Sequence, residues 1–268
     1  MDIFDVHQAK GNALPILISI PHAGTYIPPS IEQQLKPHLL PADDTDWFVG
    51  QLYAFATAMG ITIIQANYSR WVIDLNRDPE SKPLYNDGRI ITALCPTTDF
   101  LGKPIYINER QQVSQPEVEE RVKLYFEPYH QKIQSLLDGL KTNFGQVLLW
   151  DAHSIRKNVA SIYPKNFPDL ILGDADKTTA SKPLINITMD HLLASDYTVS
   201  HNHPFKGGFI TRHFGRPEKQ QHALQLEMTK PNYMDDAEIN YDKKRAGKMQ
   251  QFLKGTLLAL LKQLSSPS

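Results

Sequence analysis

Three polar side chains stand directly after a short apolar run in the middle of the chain. The run Val147–Trp150 has the length and composition of a strand buried on both faces, and Asp151, His153 and Ser154 follow it. In open α/β sheets, ligands bind beyond the carboxyl ends of the strands, so these side chains are placed to meet a substrate. Asp151 and His153 are two residues apart and share one face of an extended chain. The structural alternative is that Asp151 caps a turn and that His153 is a histidine satisfied by its own hydrogen bonds.

The same arrangement of a strand followed by a reactive side chain occurs twice more. Ala13–Ile20 is rich in isoleucine and predicts a buried strand that ends just before His22. His222–Met228 alternates in a way that predicts a strand with Glu227 on the face opposite its two leucines. The structural alternative for Glu227 is a salt bridge to one of the arginines.

Acidic residues also precede a predicted helix. Asp43, Asp44 and Asp46 come just before Trp47–Met59, whose apolar residues share one helical face. Any of these acids, or Thr45, could serve only as the N-cap of that helix.

The segment Tyr68–Arg77 is dense in charged and polar groups. Its alternation predicts a strand with Arg70, Asp74 and Asn76 on one side, and with Arg77 directly after it. A solvent-exposed edge strand does not require two arginines, an aspartate and an asparagine. Their density favours a binding role for this segment. An exposed strand held by salt bridges is the alternative.

The remaining segments alternate between strands and helices. Ser114 and Glu117 form a capping-box pattern ahead of a helix to about Leu140, on whose surface we expect His130. Pro79–Gln112 is expected to be irregular, and further elements are predicted at Ile61–Ala66, Leu170–Leu172, 182–194, Tyr197–Ser200 and 236–264. This alternation predicts a three-layer α/β/α fold with a mostly parallel mixed sheet. No repeat or linker divides the chain, so we expect one catalytic domain, 1–268, with its core at about 13–264 and a short frayed tail.

Composition restricts the class of protein. The chain has 268 residues, 41% of them hydrophobic and 21% charged, as in globular proteins with a full-sized core. A net charge of −1 gives no electrostatic case for nucleic acid or an anionic membrane as partner. The single cysteine, Cys95, excludes an intrachain disulfide and a cysteine-based zinc cluster. No apolar run approaches membrane-spanning length and the N-terminus lacks a signal pattern, so we expect a cytoplasmic protein.

The histidines, carboxylates and arginines described above together indicate metal-assisted hydrolysis. Two histidines and a carboxylate, with water in the fourth position, form the usual catalytic zinc site, in which the pKa of the water falls to about 7. A further carboxylate can take a proton from the water and pass it to a leaving amine. The arginine guanidinium matches a carboxylate in a bidentate way, so the expected substrate is an amide that carries carboxylates.

Six segments carry a family resemblance that extends in order from about residue 14 to 235. Together they resemble the N-formylglutamate amidohydrolase family, which is similar in fold to zinc carboxypeptidases and aspartoacylase-type deacylases. The segments are PHAG at 21–24, DTDW at 44–47, YSRWVIDLNR at 68–77, LLWDAHS at 148–154, FKGGFITRHFGRP at 205–217 and HALQLEM at 222–228.

The resemblance implies a divalent metal, most simply Zn²⁺, and hydrolysis of N-formyl-L-glutamate to formate and L-glutamate in histidine degradation. By position, His22 and His153 are then metal ligands and Glu227 is the general base. Zinc carboxypeptidases have a glutamate three residues after the first histidine, where this chain has Thr25. We therefore expect Asp46 as the third ligand, with Asp74 as the alternative.

The resemblance also implies groups that hold the substrate's carboxylates and groups that support the site. The expected substrate-binding residues are Arg70, Asn76, Arg77 and Arg212, and the expected supporting residues are Asp74, Asp151 and Ser154. Two other functions stay open at this point: a related zinc deacylase for another N-acyl amino acid, and a non-catalytic amino-acid-binding protein. The oligomeric state is not predicted.

Overall fold

A single mixed sheet organises the part of the chain that the structure, a computed structural model, describes: residues 1–80, 92–108 and 113–265. Seven strands in these residues pair in the order β1-β3-β2-β4-β7-β5-β6. The strands are β1 Phe4–His7, β2 Ile16–Ile20, β3 Thr62–Ala66, β4 Val147–Ile155, β5 Leu170–Gly173, β6 Val199–His201 and β7 Gln221–Thr229. The sheet is parallel at its centre, from β3 through β2 and β4 to β7, and antiparallel where β1 joins β3 and β5 joins β7.

Helices cover both faces of the sheet. They are α1 Pro29–Glu32, α2 Val49–Tyr53, α3 Gln115–Arg121, α4 Glu127–Phe144, α5 Lys182–Leu193, α6 Phe209–Phe214 and α7 Lys243–Leu264. A π-helical turn at Val122–Phe126 joins α3 to α4, and 3₁₀ turns occur at Pro37–Leu39, Ala54–Met59, Pro217–Lys219 and Lys230–Asn232. None of the helices in the described residues is long and apolar enough to cross a membrane.

Alternation along the central strands separates two cores. Ile18, Trp150 and Leu224 pack on one face with the apolar sides of α5 and α7, whereas Leu149 and Ala223 pack on the other with α4 and α6. Burying both faces explains why the central strands are nearly continuous apolar runs. The predicted three-layer α/β architecture with a mostly parallel mixed sheet is confirmed.

The predicted strand at Tyr68–Arg77 is wrong. This segment forms turns, in which Val72 N–H donates to the Ser69 carbonyl at 2.9 Å and Asn76 N–H donates to Asp74 Oδ1 at 2.9 Å. Short polar side chains that accept backbone hydrogen bonds offer the chain an alternative to a strand ladder. The apolar members of the segment are buried because the turns fold inward, so their alternation did not indicate a strand.

Several boundaries also differ from the sequence-based predictions. The final helix begins at Lys243 rather than 236, because the Asp242 side chain accepts from the N–H groups of Lys244 and Arg245 as an N-cap. The predicted helix 47–59 is α2 followed by a 3₁₀ turn. His130 was expected on a surface but is buried, stacked on Phe126 with 3.9 Å between ring centroids.

The predicted irregular excursion Pro79–Gln112 lies partly outside the described residues, which omit 81–91 and 109–112. Its described part, 92–108, contains isolated bridges but no helix or strand, as predicted.

Candidate active site

The central strands bring three predicted site residues to one edge of the sheet. His22 lies two residues beyond β2, His153 lies near the end of β4, and Glu227 lies near the end of β7. Because β4 and β7 are parallel neighbours in register, His153 pairs directly with Glu227, and Asp151 pairs with Gln225. Paired residues of adjacent strands project from the same face, so the His153 and Glu227 side chains lie side by side.

His22, Asp46 and His153, hereafter the metal triad, are buried and meet at this edge. Each offers one ligand atom, and the three atoms lie within 4.8 Å of one another. Asp46 Oδ2 is 3.2 Å from His153 Nδ1 and 3.8 Å from His22 Nδ1. His22 Nδ1 is buried and finds no hydrogen-bond partner among the described residues. An orphaned nitrogen facing a carboxylate oxygen and a second imidazole fits the nitrogen and oxygen ligands that zinc takes.

The outward nitrogens of both histidines are held by carboxylates. His22 Nε2 is 2.8 Å from Asp74 Oδ1, and His153 Nε2 is 3.1 Å from Asp151 Oδ2. A carboxylate on the far nitrogen fixes the ring tautomer and orientation of a metal-binding histidine. Asp74 therefore lies behind His22, which favours Asp46 over Asp74 as the third ligand.

The electrostatics of the metal triad suit a bound cation. Burial, reinforced by the Arg70 charge, lowers the pKa of His22 to about 4, so this ring is neutral at pH 7. Burial alone would lower the pKa of His153, but the charges of Asp151 and Asp46 and their hydrogen bonds hold that pKa well above its usual value. Burial alone would raise the pKa of Asp46, but its hydrogen bond to His153 and the nearby positive charges keep it low. Asp46 and Asp151 thus place negative charge next to the imidazole nitrogens of the metal triad.

Glu227 stands beside the metal triad without a partner of its own. The residue is 8% exposed, and its carboxyl group makes no hydrogen bond or ion pair with any described residue. Burial raises its pKa to about 8, while the charges of His153 and Arg70 oppose that shift. The salt bridge considered as its structural role is not found in the described part of the chain.

Arg70 and Asn76, two of the predicted substrate-binding residues, are built into the scaffold of the site. Arg70 Nη2 donates to Asp74 Oδ2 at 2.6 Å. Asn76 Oδ1 accepts from Ile210 N–H at 2.8 Å, and its Nδ2 lies 3.1 Å from His153 Nε2. A Cβ at Gly208 would come within 2.3 Å of the Asn76 side chain, so this glycine allows the close approach of α6.

The other two arginines, Arg77 and Arg212, are half-buried. Arg77 Nε donates to the Thr92 carbonyl at 3.2 Å, and its Nη1 is 3.7 Å from Asp74 Oδ2. Arg212 Nε donates to the Gly207 carbonyl at 2.9 Å. Each of these contacts restricts the orientation of a guanidinium.

Ser154 faces the opposite side of β4 from His153. Its Oγ is 2.8 Å from the Tyr233 hydroxyl, which in turn lies 2.9 Å from the Trp47 carbonyl oxygen. The contact ties β4 to the residue after Asp46, so Ser154 supports the site from behind.

A cavity of about 470 Å³, hereafter the side cavity, is lined by Asp44 and Ser154, near neighbours in sequence of Asp46 and His153, and by two cations that the sequence analysis missed. Arg156 directly follows β4, and Lys230 directly follows β7. The sequence signal for both is the one that identified the histidines, a polar side chain that follows a buried strand. The sequence analysis did not apply it to Arg156 and Lys230. The lining residues are His38, Leu39, Leu40, Pro41, Asp43, Asp44, Trp71, Asp99, Phe100, Leu101, Ser154, Ile155, Arg156, Asn158, Val159 and Lys230.

Comparisons with known proteins show which family the chain belongs to. Two curated N-formylglutamate deformylases are similar to the chain: that of Pseudomonas aeruginosa is 40% identical over 237 residues, covering 87% of this chain and 86% of its own. That of Pseudomonas putida is 39% identical over 266 residues, covering 97% and 96%. The crystal structure of N-formylglutamate amidohydrolase from Ralstonia eutropha JMP134 has a TM-score of 0.81 and 28% identity, with 98% of both chains covered.

A gene product of Agrobacterium tumefaciens shares the fold, with a TM-score of 0.75, 16% identity and coverage of 99% of this chain and 97% of its own. The family model described as N-formylglutamate amidohydrolase matches residues 14–234, which contain every residue of the metal triad together with Glu227. The chain belongs to the N-formylglutamate amidohydrolase family.

Proposed function

We propose that this protein hydrolyses N-formyl-L-glutamate to formate and L-glutamate at a divalent metal, zinc, held by the metal triad. The observation that carries the proposal is the unpartnered Glu227 carboxylate beside the buried metal triad, in a chain about 40% identical to curated deformylases. As part of this proposal, the reaction is a step of histidine degradation and takes place in the cytoplasm.

The ligand atoms in this proposal are Nδ1 of His22, Nδ1 of His153 and a carboxylate oxygen of Asp46. When bound, the metal polarises the formyl carbonyl and lowers the pKa of a water molecule to about 7. Asp74 and Asp151 accept from the outward Nε2 atoms, so both Nδ1 lone pairs point inward.

Glu227 carries the proton through the reaction. In the field of a bound divalent cation its carboxyl group would be ionised, because a nearby positive charge lowers its pKa. The carboxylate then accepts a proton from the attacking water and donates it to the amide nitrogen as the C–N bond breaks. The pairing of His153 with Glu227 across β4 and β7 fixes the carboxylate next to the metal triad. A binding protein gains nothing from a buried, unpaired carboxylate, because its desolvation is costly.

The arginines orient the substrate through its carboxylates. Arg77 and Arg212 are only half-buried, and a guanidinium fork matches a carboxylate in a bidentate way. Arg70 and Asn76 remain predicted substrate contacts, although each already uses part of its hydrogen-bonding capacity within the scaffold.

A panel of acyl substrates tests this function. N-formyl-L-glutamate, N-acetyl-L-glutamate, N-formyl-L-glutamine and N-formyl-L-aspartate are compared by kcat/KM, with amine release as the measurement and zinc present or chelated. The proposal predicts that N-formyl-L-glutamate is the preferred substrate and that its turnover requires the metal. A higher kcat/KM for N-acetyl-L-glutamate would show that the protein is a deacylase of another specificity.

A further inference from the structure

The side cavity contains a buried ammonium group without an acidic partner. Lys230 is only 2% exposed, and its Nζ donates to the Asp43 carbonyl oxygen at 3.0 Å. No carboxylate oxygen of the described residues lies within 4.0 Å of Nζ, whereas Lys157, four residues along from His153, pairs with Asp169 at 2.7 Å. One backbone oxygen satisfies one of the three donors of an ammonium.

A charge placed in this way is costly without a counter-ion. Burying an ammonium requires pairing and hydrogen bonding to offset its lost hydration. Burial lowers the pKa of Lys230, while the nearby Asp43 and Asp46 charges oppose that shift. A bound anion would supply the missing partner.

The acids in the wall of the side cavity already accept from donors of this chain. Asp43 Oδ2 accepts from Arg156 Nε at 2.6 Å. Asp44 Oδ2 accepts from Trp71 Nε1 at 3.0 Å and from Phe100 N–H at 3.2 Å. Neither acid pairs with the Lys230 ammonium, which therefore keeps donors for a ligand.

The side cavity also lies next to the proposed reaction centre. Ser154, which lines it, follows His153, and Asp44, which lines it, stands two residues before Asp46. Lys230 stands three residues beyond Glu227 at the end of the same strand. Two of its lining residues also contact Arg70, the arginine that binds Asp74 behind His22: the Phe100 ring lies 4.6 Å from the guanidinium, and the Asp44 carbonyl oxygen accepts from Arg70 Nη1 at 3.4 Å.

We infer that the Lys230 ammonium binds the side-chain carboxylate of the substrate, so that the side cavity is the subsite that selects an acidic side chain. The inference rests on the proposed function for the identity of the substrate. The α-carboxylate is attached to the carbon that bears the amide nitrogen, so it stays close to Glu227 and the arginines. The side-chain carboxylate is two methylene groups further away and reaches the neighbouring subsite.

Binding of the product and its neutral analogue tests the inference without turnover. Calorimetry measures Kd for L-glutamate and for L-glutamine on the zinc-loaded protein, on Lys230→Met and on the control Lys157→Met. The wild type and the control should prefer glutamate by at least about 10-fold. Lys230→Met should weaken glutamate binding by about 10- to 100-fold, the range for losing a charged hydrogen bond, and leave glutamine binding unchanged.

The inference is overturned if Lys230→Met keeps the preference for glutamate, or if the wild type has none. Should Lys230→Met melt early, Lys230→Gln replaces it, because its amide can still donate to the Asp43 oxygen without carrying a charge. Failure of the proposed function has a different signature: no formate is released from N-formyl-L-glutamate, yet the Lys230-dependent preference for glutamate remains. If formate is released normally but both Lys230 variants still prefer glutamate, the subsite inference is wrong and the proposed function stands.

Discussion

The two ring nitrogens of each histidine in the metal triad have different tasks. Nε2 of His22 and Nε2 of His153 are held by Asp74 and Asp151, while the Nδ1 atoms face Asp46. This division explains why two further aspartates are buried at the site. A carboxylate behind each imidazole fixes the lone pair that a metal needs.

Glu227→Gln should separate chemistry from folding. The change keeps the volume and hydrogen bonding of the side chain but removes the proton acceptor, so kcat should fall by about 10²–10⁴-fold. Metal content, thermal stability and KM should stay close to wild type. The control is Glu218→Gln, at an exposed position before the same strand, and kcat measured for both variants with N-formyl-L-glutamate gives the comparison. A metal-replete Glu227→Gln enzyme with near-normal kcat would remove Glu227 from the mechanism.

Arg77→Ala tests the proposed hold on the substrate's carboxylate. If Arg77 binds the ground state and the transition state equally, KM should rise and kcat should change little. The loss of a charged hydrogen bond corresponds to roughly 1.5–3 kcal/mol of binding free energy. Steady-state kinetics of Arg77→Ala, Arg212→Ala and the α7 control Arg245→Ala provide the measurement. Unchanged KM in the first two variants would place the anion site elsewhere.

At the scale of elements, the sequence identified the strands that carry the chemistry and missed the turns that complete the site. The apolar runs at β2 and β4 and the alternation of β7 are local properties, so His22, His153 and Glu227 could be found from them. The segment 68–77 has similar alternation, but its conformation depends on hydrogen bonds to Asp74 and on contacts with α6. Asp74 is local, but the α6 partner of Asn76, Ile210, is 134 residues further along the chain, so periodicity could not reveal this arrangement.

The packing of α4 on α6 makes the fold sensitive to acid. Burial lowers the pKa of His130 to about 4, with a hydrogen bond to the Phe126 carbonyl opposing the shift. The folded-state pKa is below the unfolded value of about 6.5, so the unfolded chain takes up the proton first as the pH falls. The stability due to neutral His130 is complete above about pH 6.5 and is lost progressively towards pH 4.

His130→Phe should therefore reduce the acid sensitivity of the fold. When the pH falls from 7 to 5, the lowered pKa of His130 should reduce the free energy of unfolding by about 2 kcal/mol. The ring of phenylalanine can stack in the same place without titrating. Urea unfolding at both pH values measures the difference, with His7→Phe at an exposed position as the control. An equal loss in wild type and His130→Phe would show that His130 titrates normally in the folded protein.

At the scale of the whole molecule, strand order decides which side chains meet. The order β3-β2-β4-β7 places the ends of β2, β4 and β7 side by side, and no periodicity in the chain encodes that order. The choice between Asp46 and Asp74 depended on it, because only the assembled sheet shows Asp74 behind His22. Strand β1 was not predicted, since it is short and only alternate residues of it are partly buried.

The central claim is that formate release depends on a metal held by His22, Asp46 and His153. The most direct measurement is a zinc titration of chelator-treated protein, with bound zinc and formate release from N-formyl-L-glutamate followed together. The account predicts no release without metal, and recovery in proportion to added zinc until about one zinc is bound per triad. His153→Ala should neither bind this zinc nor recover, while the exposed-histidine control His213→Ala should do both. Full formate release by metal-free protein, or normal zinc binding by His153→Ala, would contradict the account.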